Sequence, residues 1–303
     1  MTDDALSRAQ AAIRSGGIPV VRSFFDEATF TATHVVHDPV SREAAIIDPV
    51  LDFDPASGRT GANAAGAVVE YVRALDLHVT MLMETHAHAD HLSAAPRLQA
   101  RLGGQIVIGR DIVTVQHTFG DLFNEPASFA RDGSQFDRLI GDGDSLGLGT
   151  ISGIALHVPG HTPACMAYLF GDALFVGDTL FMPDYGTARA DFPGGDAATL
   201  YRSIRRLMHL PDATRVLLCH DYGAPGRAGF VWETTIGDER AHNIHVHDGI
   251  AEVAFVAMRQ ARDAALTMPR LMLPSVQVNI RAGHLPQAEA NGVSYLKLPV
   301  NLL

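Results

Sequence analysis

Apolar residues follow two different periods along the first half of the chain. Strand-like runs bounded by turn residues predict β-strands, and the first three runs are close enough together to form an antiparallel meander. From residue 62, and again from near His91, apolar residues recur at a helical spacing. The strands predicted in this half lie at 20–25, 29–37, 43–48, 78–84 and 105–109.

Strand and helix patterns also alternate in the second half. A helix with Leu200, Ile204 and Leu207 on one side precedes an apolar strand at 215–219. A longer helix is predicted at about 249–266. The other strands predicted in this half lie at 151–158, 166–170 and 173–177.

The alternation of strands and helices predicts an α/β layer structure. We expect one domain over residues 1–303, with its core at about 20–245 and a short helical and extended elaboration at about 246–303. The helix at 249–266 carries an apolar stripe that predicts packing on the core, with dimerisation as the alternative. The stripe consists of Ile250, Val253, Ala254, Ala257, Ala261 and Ala265.

Histidine and aspartate follow the apolar strands at the points where those strands end. A buried strand is a rigid base, and the turn after it exposes side chains at the sheet edge. Four strand ends could therefore converge on one point, where imidazole and carboxylate groups suit zinc or iron. The residues concerned are His86, His88, Asp90 and His91 in THAHADH, His161 in PGHTP, Asp178 in GDT and His220 in HDY.

These motifs resemble, in order and spacing, the signature of the metallo-β-lactamase superfamily. They are HAHADH at 86–91, PGHTPAC at 159–165, VGDTLF at 176–181 and CHDY at 219–222. The resemblance implies an αββα sandwich with a metal site at one edge of its two sheets.

Within that superfamily the chain is similar to the persulfide dioxygenases. The similarity rests on the layout of PGHTPAC, GDTLF, GTARADF at 186–192 and HDY at 220–222. It implies one non-haem Fe(II) held by His86, His161 and Asp178, and the oxidation of glutathione persulfide by O2 to sulfite and glutathione. His88, Asp90, His91 and His220 would then orient the ligands and hold water.

The same seven residues also allow a binuclear zinc site of the glyoxalase II type. There, two Zn(II) ions bridged by Asp178 would activate a hydroxide that hydrolyses a glutathione thioester. Glyoxalase II enzymes hold glutathione with lysines of a C-terminal domain, whereas the only lysine of this chain is Lys297. This difference favours the dioxygenase. A metal-binding scaffold without activity is a third possibility.

A glutathione substrate would carry two carboxylates, which arginine can bind in a bidentate manner. The candidates for binding it are Arg189, Tyr222, Arg227 and Arg281.

Composition narrows the range of partners. The chain has 34 acidic and 23 basic side chains and a formal charge of −11, which disfavours nucleic acid as a partner and a nuclease as the function. We also expect no membrane insertion, because no run of about 18 apolar residues occurs. Two cysteines, Cys165 and Cys219, are too few for a disulfide framework and predict packing roles in a cytoplasmic protein.

Overall fold

Two six-stranded β-sheets form the centre of the molecule in residues 3–15 and 17–302, the part of the chain that the computed structural model describes. The strands that precede residue 141 are β1 (Val20–Asp26), β2 (Thr31–His37), β3 (Glu43–Ile47), β4 (Val50–Leu51), β5 (Phe53–Asp54), β6 (Arg59–Thr60), β7 (His78–Met83), β8 (Leu92–Ser93), β9 (Gln105–Gly109) and β10 (Arg138–Ile140). Those that follow are β11 (Ser145–Leu148), β12 (Ile151–His157), β13 (Met166–Phe170), β14 (Ala173–Phe175), β15 (Arg215–Leu217) and β16 (Glu233–Thr235).

The first sheet has the strand order β1-β2-β3-β7-β9-β10. Strands β1, β2 and β3 form the predicted antiparallel meander, and β3, β7, β9 and β10 run parallel. The second sheet, β11 to β16 in chain order, is antiparallel except for the parallel pair β14 and β15. Short pairs β4–β8 and β5–β6 lie outside both sheets.

Eight helices occur in the described residues, and most cover the outer faces of the sheets. Helices α1, α5 and α7 share a buried apolar cluster with the second sheet, whereas α2, α3, α4 and α8 share one with the first. Their bounds are α1 (Asp4–Ser15), α2 (Asn63–Ala74), α3 (Ala95–Leu102), α4 (Ile112–Leu122), α5 (Ala197–Leu207), α6 (Ile236–His242), α7 (Glu252–Asp263) and α8 (Met272–Asn279).

A third apolar cluster lies between the sheets and includes Ile47, Met83, Phe170 and Phe175, all of them buried. The layers therefore follow the order helix, sheet, sheet, helix, which confirms the predicted αββα sandwich. No helix in residues 3–15 and 17–302 combines the length and apolar character needed to cross a membrane.

Two of the predicted helices are present but shorter than the sequence pattern indicates. The helix expected from near His91 begins at Ala95, because Leu92 and Ser93 pair with β4. The helix expected at 249–266 spans only Glu252–Asp263.

The apolar stripe predicted on that helix is also largely exposed. Val253 is 78% exposed, and the buried residues of α7 are Phe255, Arg259 and Asp263, spaced four apart. The physical reason is that Arg259 and Asp263 form an ion pair with each other, which permits their burial, while alanines gain little from facing the core.

Candidate metal centre

Four turns at one edge of the sandwich carry the seven predicted ligand-type residues. The turn after β7 holds four of them, and one each follows β12, β14 and β15. In the turn before His161, Gly160 has φ +138°, and a Cβ there would lie 2.3 Å from the backbone of Leu200. Only glycine therefore lets α5 pack this close to His161.

Three of the residues, which we call the pocket-side set, are His86, His161 and Asp178. Oδ2 of Asp178 lies 4.0 Å from Nε2 of His86 and 3.6 Å from Nε2 of His161. The three ligand atoms fall within 4.8 Å of one another. Donors that are each about 2.1 Å from one cation are separated by roughly 3 to 4 Å, so the spacing fits a single ion.

The other four residues, His88, Asp90, His91 and His220, form the inner set. Nε2 of His220 lies 3.2 Å from Oδ1 of Asp178 and 3.4 Å from Oδ2 of Asp90. Nδ1 of His91 is 3.4 Å from the same Asp90 oxygen. Asp178 therefore lies between the two sets.

Hydrogen bonds fix the tautomers of the pocket-side histidines. Nδ1 of His161 donates to the carbonyl oxygen of Arg189 at 2.8 Å. The Thr85 hydroxyl donates to Asp48 at 2.9 Å, so its oxygen accepts from Nδ1 of His86 at 3.1 Å. Both Nε2 atoms are thus left with free lone pairs, the state that metal ligation requires.

The inner histidines are tethered in the same way. Nε2 of His88 donates to Oδ1 of Asp48 at 2.9 Å, with Oε2 of Glu84 3.6 Å away. Nδ1 of His220 donates to the carbonyl oxygen of Phe30 at 3.2 Å.

Several buried polar atoms at the centre lack a hydrogen-bond partner among the described residues. Such orphans are costly and uncommon in proteins. A cation among them would satisfy their lone pairs, so the residues fit a metal ion. The orphaned atoms are Nε2 of His86, Nδ1 of His88, Nε2 of His91, Oδ1 of Asp178 and Nε2 of His220.

The electrostatics agree with a cation site. Burial opposes ionisation of Asp178, but the neighbouring imidazoles, His220 foremost, outweigh it and hold its pKa below the usual range. Burial, together with His88, holds the pKa of His86 well below its usual value. Asp178 is therefore a carboxylate and His86 a neutral imidazole, as ligands must be.

Sequence reasoning missed two carboxyl groups beneath the centre, Asp48 and Glu84. Asp48 follows β3 and Glu84 follows β7, and both are buried. The strand-end context that identified the other residues applies to these two as well. Burial raises the pKa of Glu84 to about 8, whereas the charge of His88 outweighs burial at Asp48 and lowers its pKa to about 2.

A cavity of about 460 Å³, which we call the metal pocket, adjoins the centre. His161, Asp178 and Asp90 line it, together with aromatic side chains. Two of the substrate-binding candidates, Arg189 and Tyr222, line this pocket as well. The guanidinium of Arg189 pairs with Asp191 at 2.6 Å, and the Tyr222 ring stacks 5.5 Å from that of His220.

The other two candidates, Arg227 and Arg281, are not among the residues that line the metal pocket. Arg227 is paired with Asp221 and Asp184. Arg281 is paired with Glu125 at 2.5 Å. Tertiary packing thus directs these two guanidinium groups to carboxylates of the protein itself. Both cysteines are buried free thiols.

Comparison with known proteins identifies relatives over most of the chain. Residues 31–220 match the metallo-beta-lactamase superfamily. A probable metallo-hydrolase of Burkholderia pseudomallei is 56% identical over 93% of this chain and 99% of its own length. Glyoxylase B2 of Dictyostelium discoideum is 42% identical over 90% of this chain and 94% of its own length.

Persulfide dioxygenases are more distant relatives. Human mitochondrial persulfide dioxygenase ETHE1 is 32% identical over 78% of this chain and 81% of its own length. The crystal structure of ETHE1 from Myxococcus xanthus superposes with a TM-score of 0.69 at 31% identity, covering 88% of this chain and all of that one.

Proposed function

The chain belongs to the metallo-beta-lactamase superfamily, and within it we propose an iron-dependent dioxygenase that converts glutathione persulfide and O2 to sulfite and glutathione. The observation that carries the proposal is the pocket-side set, in which two imidazoles and one carboxylate meet, with His161 and Asp178 at the wall of a cavity. Such a set suits non-haem Fe(II) and leaves coordination positions open. Similarity to ETHE1 from Myxococcus xanthus over that protein's whole length supports the same reaction.

A single ion is favoured by the surroundings of the inner set. Each inner imidazole already has a carboxylate oxygen nearby that is not part of the pocket-side set, on Asp48 for His88 and on Asp90 for His91 and His220. These carboxylates can hold the inner imidazoles without a second cation. The inner set then serves to orient the centre.

The reaction balances with one O2 and one water for each persulfide. The outer sulfur loses four electrons to O2, and glutathione leaves as its thiol. Bound Fe(II) would supply the redox chemistry and positions open to a sulfur anion and O2.

The chain's own residues supply the rest of the site. The Arg189 carbonyl holds the proton on Nδ1 of His161. The rings of Phe181, Phe192 and Tyr222 wall the metal pocket and exclude water from a reactive persulfide. Arginines on the same wall attract an anionic substrate.

The test is oxygen consumption by protein loaded anaerobically with iron. We expect one O2 consumed per sulfite formed when glutathione persulfide is added, and none with glutathione, which lacks the outer sulfur. Protein with about one iron per chain that consumes no oxygen would contradict the proposal.

A binuclear zinc thioesterase is the second candidate. It is favoured by the orphaned nitrogen atoms of His88, His91 and His220, which could hold a second ion with Asp90, and by the similarity to glyoxylase B2. Release of glutathione from S-lactoylglutathione by the protein with two zinc ions would support it. Failure of both reactions by the metal-bound protein would favour a scaffold without activity.

A further inference from the structure

A second, larger cavity of about 1000 Å³, here the distal chamber, adjoins the metal pocket. The two share Ala28, Thr29, Arg270 and Leu271 in their linings. Thr29 is close to the centre, because its hydroxyl oxygen lies 2.9 Å from that of Thr31, which in turn lies 3.3 Å from Nδ1 of His220. The distal chamber therefore approaches the metal residues on the side of Thr29.

The two spaces differ in charge. Away from the metal residues, the charged side chains lining the metal pocket are all arginines, and the carboxylate partners of Arg189 and Arg259 lie outside its lining. Arg262 and Arg270 form no ion pair with any described residue. This part of the pocket is cationic and suits a carboxylate.

The distal chamber instead carries both charges in equal number. Its lining contains the arginines Arg22, Arg59 and Arg270 and the aspartates Asp26, Asp52 and Asp54. The three arginines have no carboxylate within ion-pair distance among the described residues, although the aspartates line the same space. A balanced set of this kind suits a zwitterion, with an ammonium and a carboxylate close together.

Strand β1 presents both charges on one face. Arg22, Phe24 and Asp26 alternate along the strand and so share that face. Cζ of Arg22 lies 5.6 Å from the ring centroid of Phe24, the residue between the two charges. Asp26 accepts hydrogen bonds from Thr29 through Oδ2 alone, which leaves Oδ1 free for an ammonium.

We propose that the distal chamber binds the zwitterionic γ-glutamyl end of a glutathione-bearing substrate, with its carboxylate on Arg22 and its ammonium on Asp26. The glycine carboxylate then binds Arg262 in the metal pocket, and the central cysteine places its sulfur at the metal residues. Each extended residue spans about 3.5 Å, so the two arms of a tripeptide reach only adjoining spaces such as these. This inference rests on the proposed function only in taking glutathione as the carrier, which both candidate reactions share.

The test is calorimetric binding of glutathione and its two fragments to the metal-loaded protein. We expect Arg22→Gln and Asp26→Asn to weaken the binding of glutathione and of γ-glutamylcysteine by about five- to tenfold. The affinity for cysteinylglycine should stay unchanged. Arg262→Gln should weaken the binding of glutathione and of cysteinylglycine and leave the affinity for γ-glutamylcysteine unchanged. Arg101→Gln, which removes an exposed arginine outside both cavities, is the matched control.

The inference alone is wrong if the wild type binds glutathione but the variants lose affinity equally for all three ligands or lose none. It is also wrong if the effects of the Arg22 and Asp26 variants are exchanged with those of the Arg262 variant. A wild-type protein that binds no glutathione would contradict the proposed function together with the inference. Unchanged thermal unfolding of each variant would show that the fold is intact.

Discussion

The pocket-side set and the inner set are both buried histidine clusters, yet they differ in their carboxylates. Asp178 is the only carboxylate within 4.0 Å of the free nitrogen atoms of His86 and His161 among the described residues. In the inner set, His88 has Asp48 at 2.9 Å, and His220 has Asp90 at 3.4 Å as well as Asp178. An imidazole between two carboxylates, as His88 and His220 are, can keep a proton, whereas one beside a single carboxylate is left neutral and free for a cation.

The pKa values follow the number of carboxylates beside each imidazole, and they divide the inner set. Burial opposes protonation everywhere, but Asp48 raises the pKa of His88 to about 9, and Asp178 and Asp90 raise that of His220 to about 10. Burial prevails at His86 and His161, and also at His91 in the inner set, and lowers their pKa values. The comparison shows that the placement of carboxylates, rather than the number of histidines, separates imidazoles that keep a proton from neutral ones.

The largest expected effect comes from Asp178→Ala, which removes the carboxylate shared by the two sets. We expect bound metal to fall from about one ion per chain to almost none, with loss of oxygen consumption. Elemental analysis measures the metal content. Asp172→Ala, which removes a carboxylate paired with Arg215 at 2.8 Å outside the centre, should keep full metal content. Metal retained by the Asp178 variant would break the distinction between the sets.

The next effect concerns the support of the pocket-side set by helix α7. Arg259 donates to the carbonyl oxygen of Thr187 at 3.0 Å, and Asp263 accepts from the amide of Ala190 at 2.9 Å. These contacts hold the loop whose Arg189 carbonyl orients His161.

We expect Arg259→Leu to cost about 3–5 kcal/mol in the free energy of unfolding, because Asp263 is left as an unpaired buried charge. Metal affinity should also fall by about 10- to 100-fold. Urea denaturation and a competitive chelator measure the two effects. Asp248→Asn, which removes the half-exposed carboxylate that pairs with Arg205 and Arg240, should cost no more than about 1 kcal/mol. Lower stability with unchanged metal affinity would show that the loop does not position His161.

Glu239 tests the effect of burial on a carboxyl group that has no imidazole neighbour. Its buried carboxyl has Asn243 rather than a histidine as its partner, and burial raises its pKa to about 8. The folded protein thus keeps a proton that the unfolded chain releases above about pH 4.5, so stability falls as the pH rises from about 4.5 to 8.

Glu239→Gln removes this titration. We expect the variant to unfold like the wild type at pH 5 and to be more stable than it by a few kcal/mol at pH 8, since each pKa unit corresponds to about 1.4 kcal/mol. Urea denaturation at the two pH values measures the difference. An equal difference at both values would contradict the shifted pKa.

The smallest effect is expected from His91→Ala in the inner set. A mononuclear centre should keep its ion, with the metal content unchanged at about one per chain. Elemental analysis of the variant beside the wild type measures this directly. A fall from two ions to one would show that the inner set is itself a metal site.

The sequence predicts the sandwich and the seven ligand-type residues well. A strand end is a local feature of the sequence, and the fold places the ends of these strands at the same edge of the sandwich. The same signal applied to Asp48 after β3 would have found the carboxylate that tethers His88. Partners of charged groups depend on tertiary packing instead. Nothing local to Arg281 indicates that Glu125, far away in the chain, pairs with it.

The metal content of the wild-type protein separates a single iron ion from two zinc ions. Protein from cells supplied with both iron and zinc, purified without oxygen and examined by elemental analysis, should contain about one iron per chain and little zinc. Two zinc ions per chain, one of them lost in the His91→Ala variant, would contradict a single iron held by His86, His161 and Asp178.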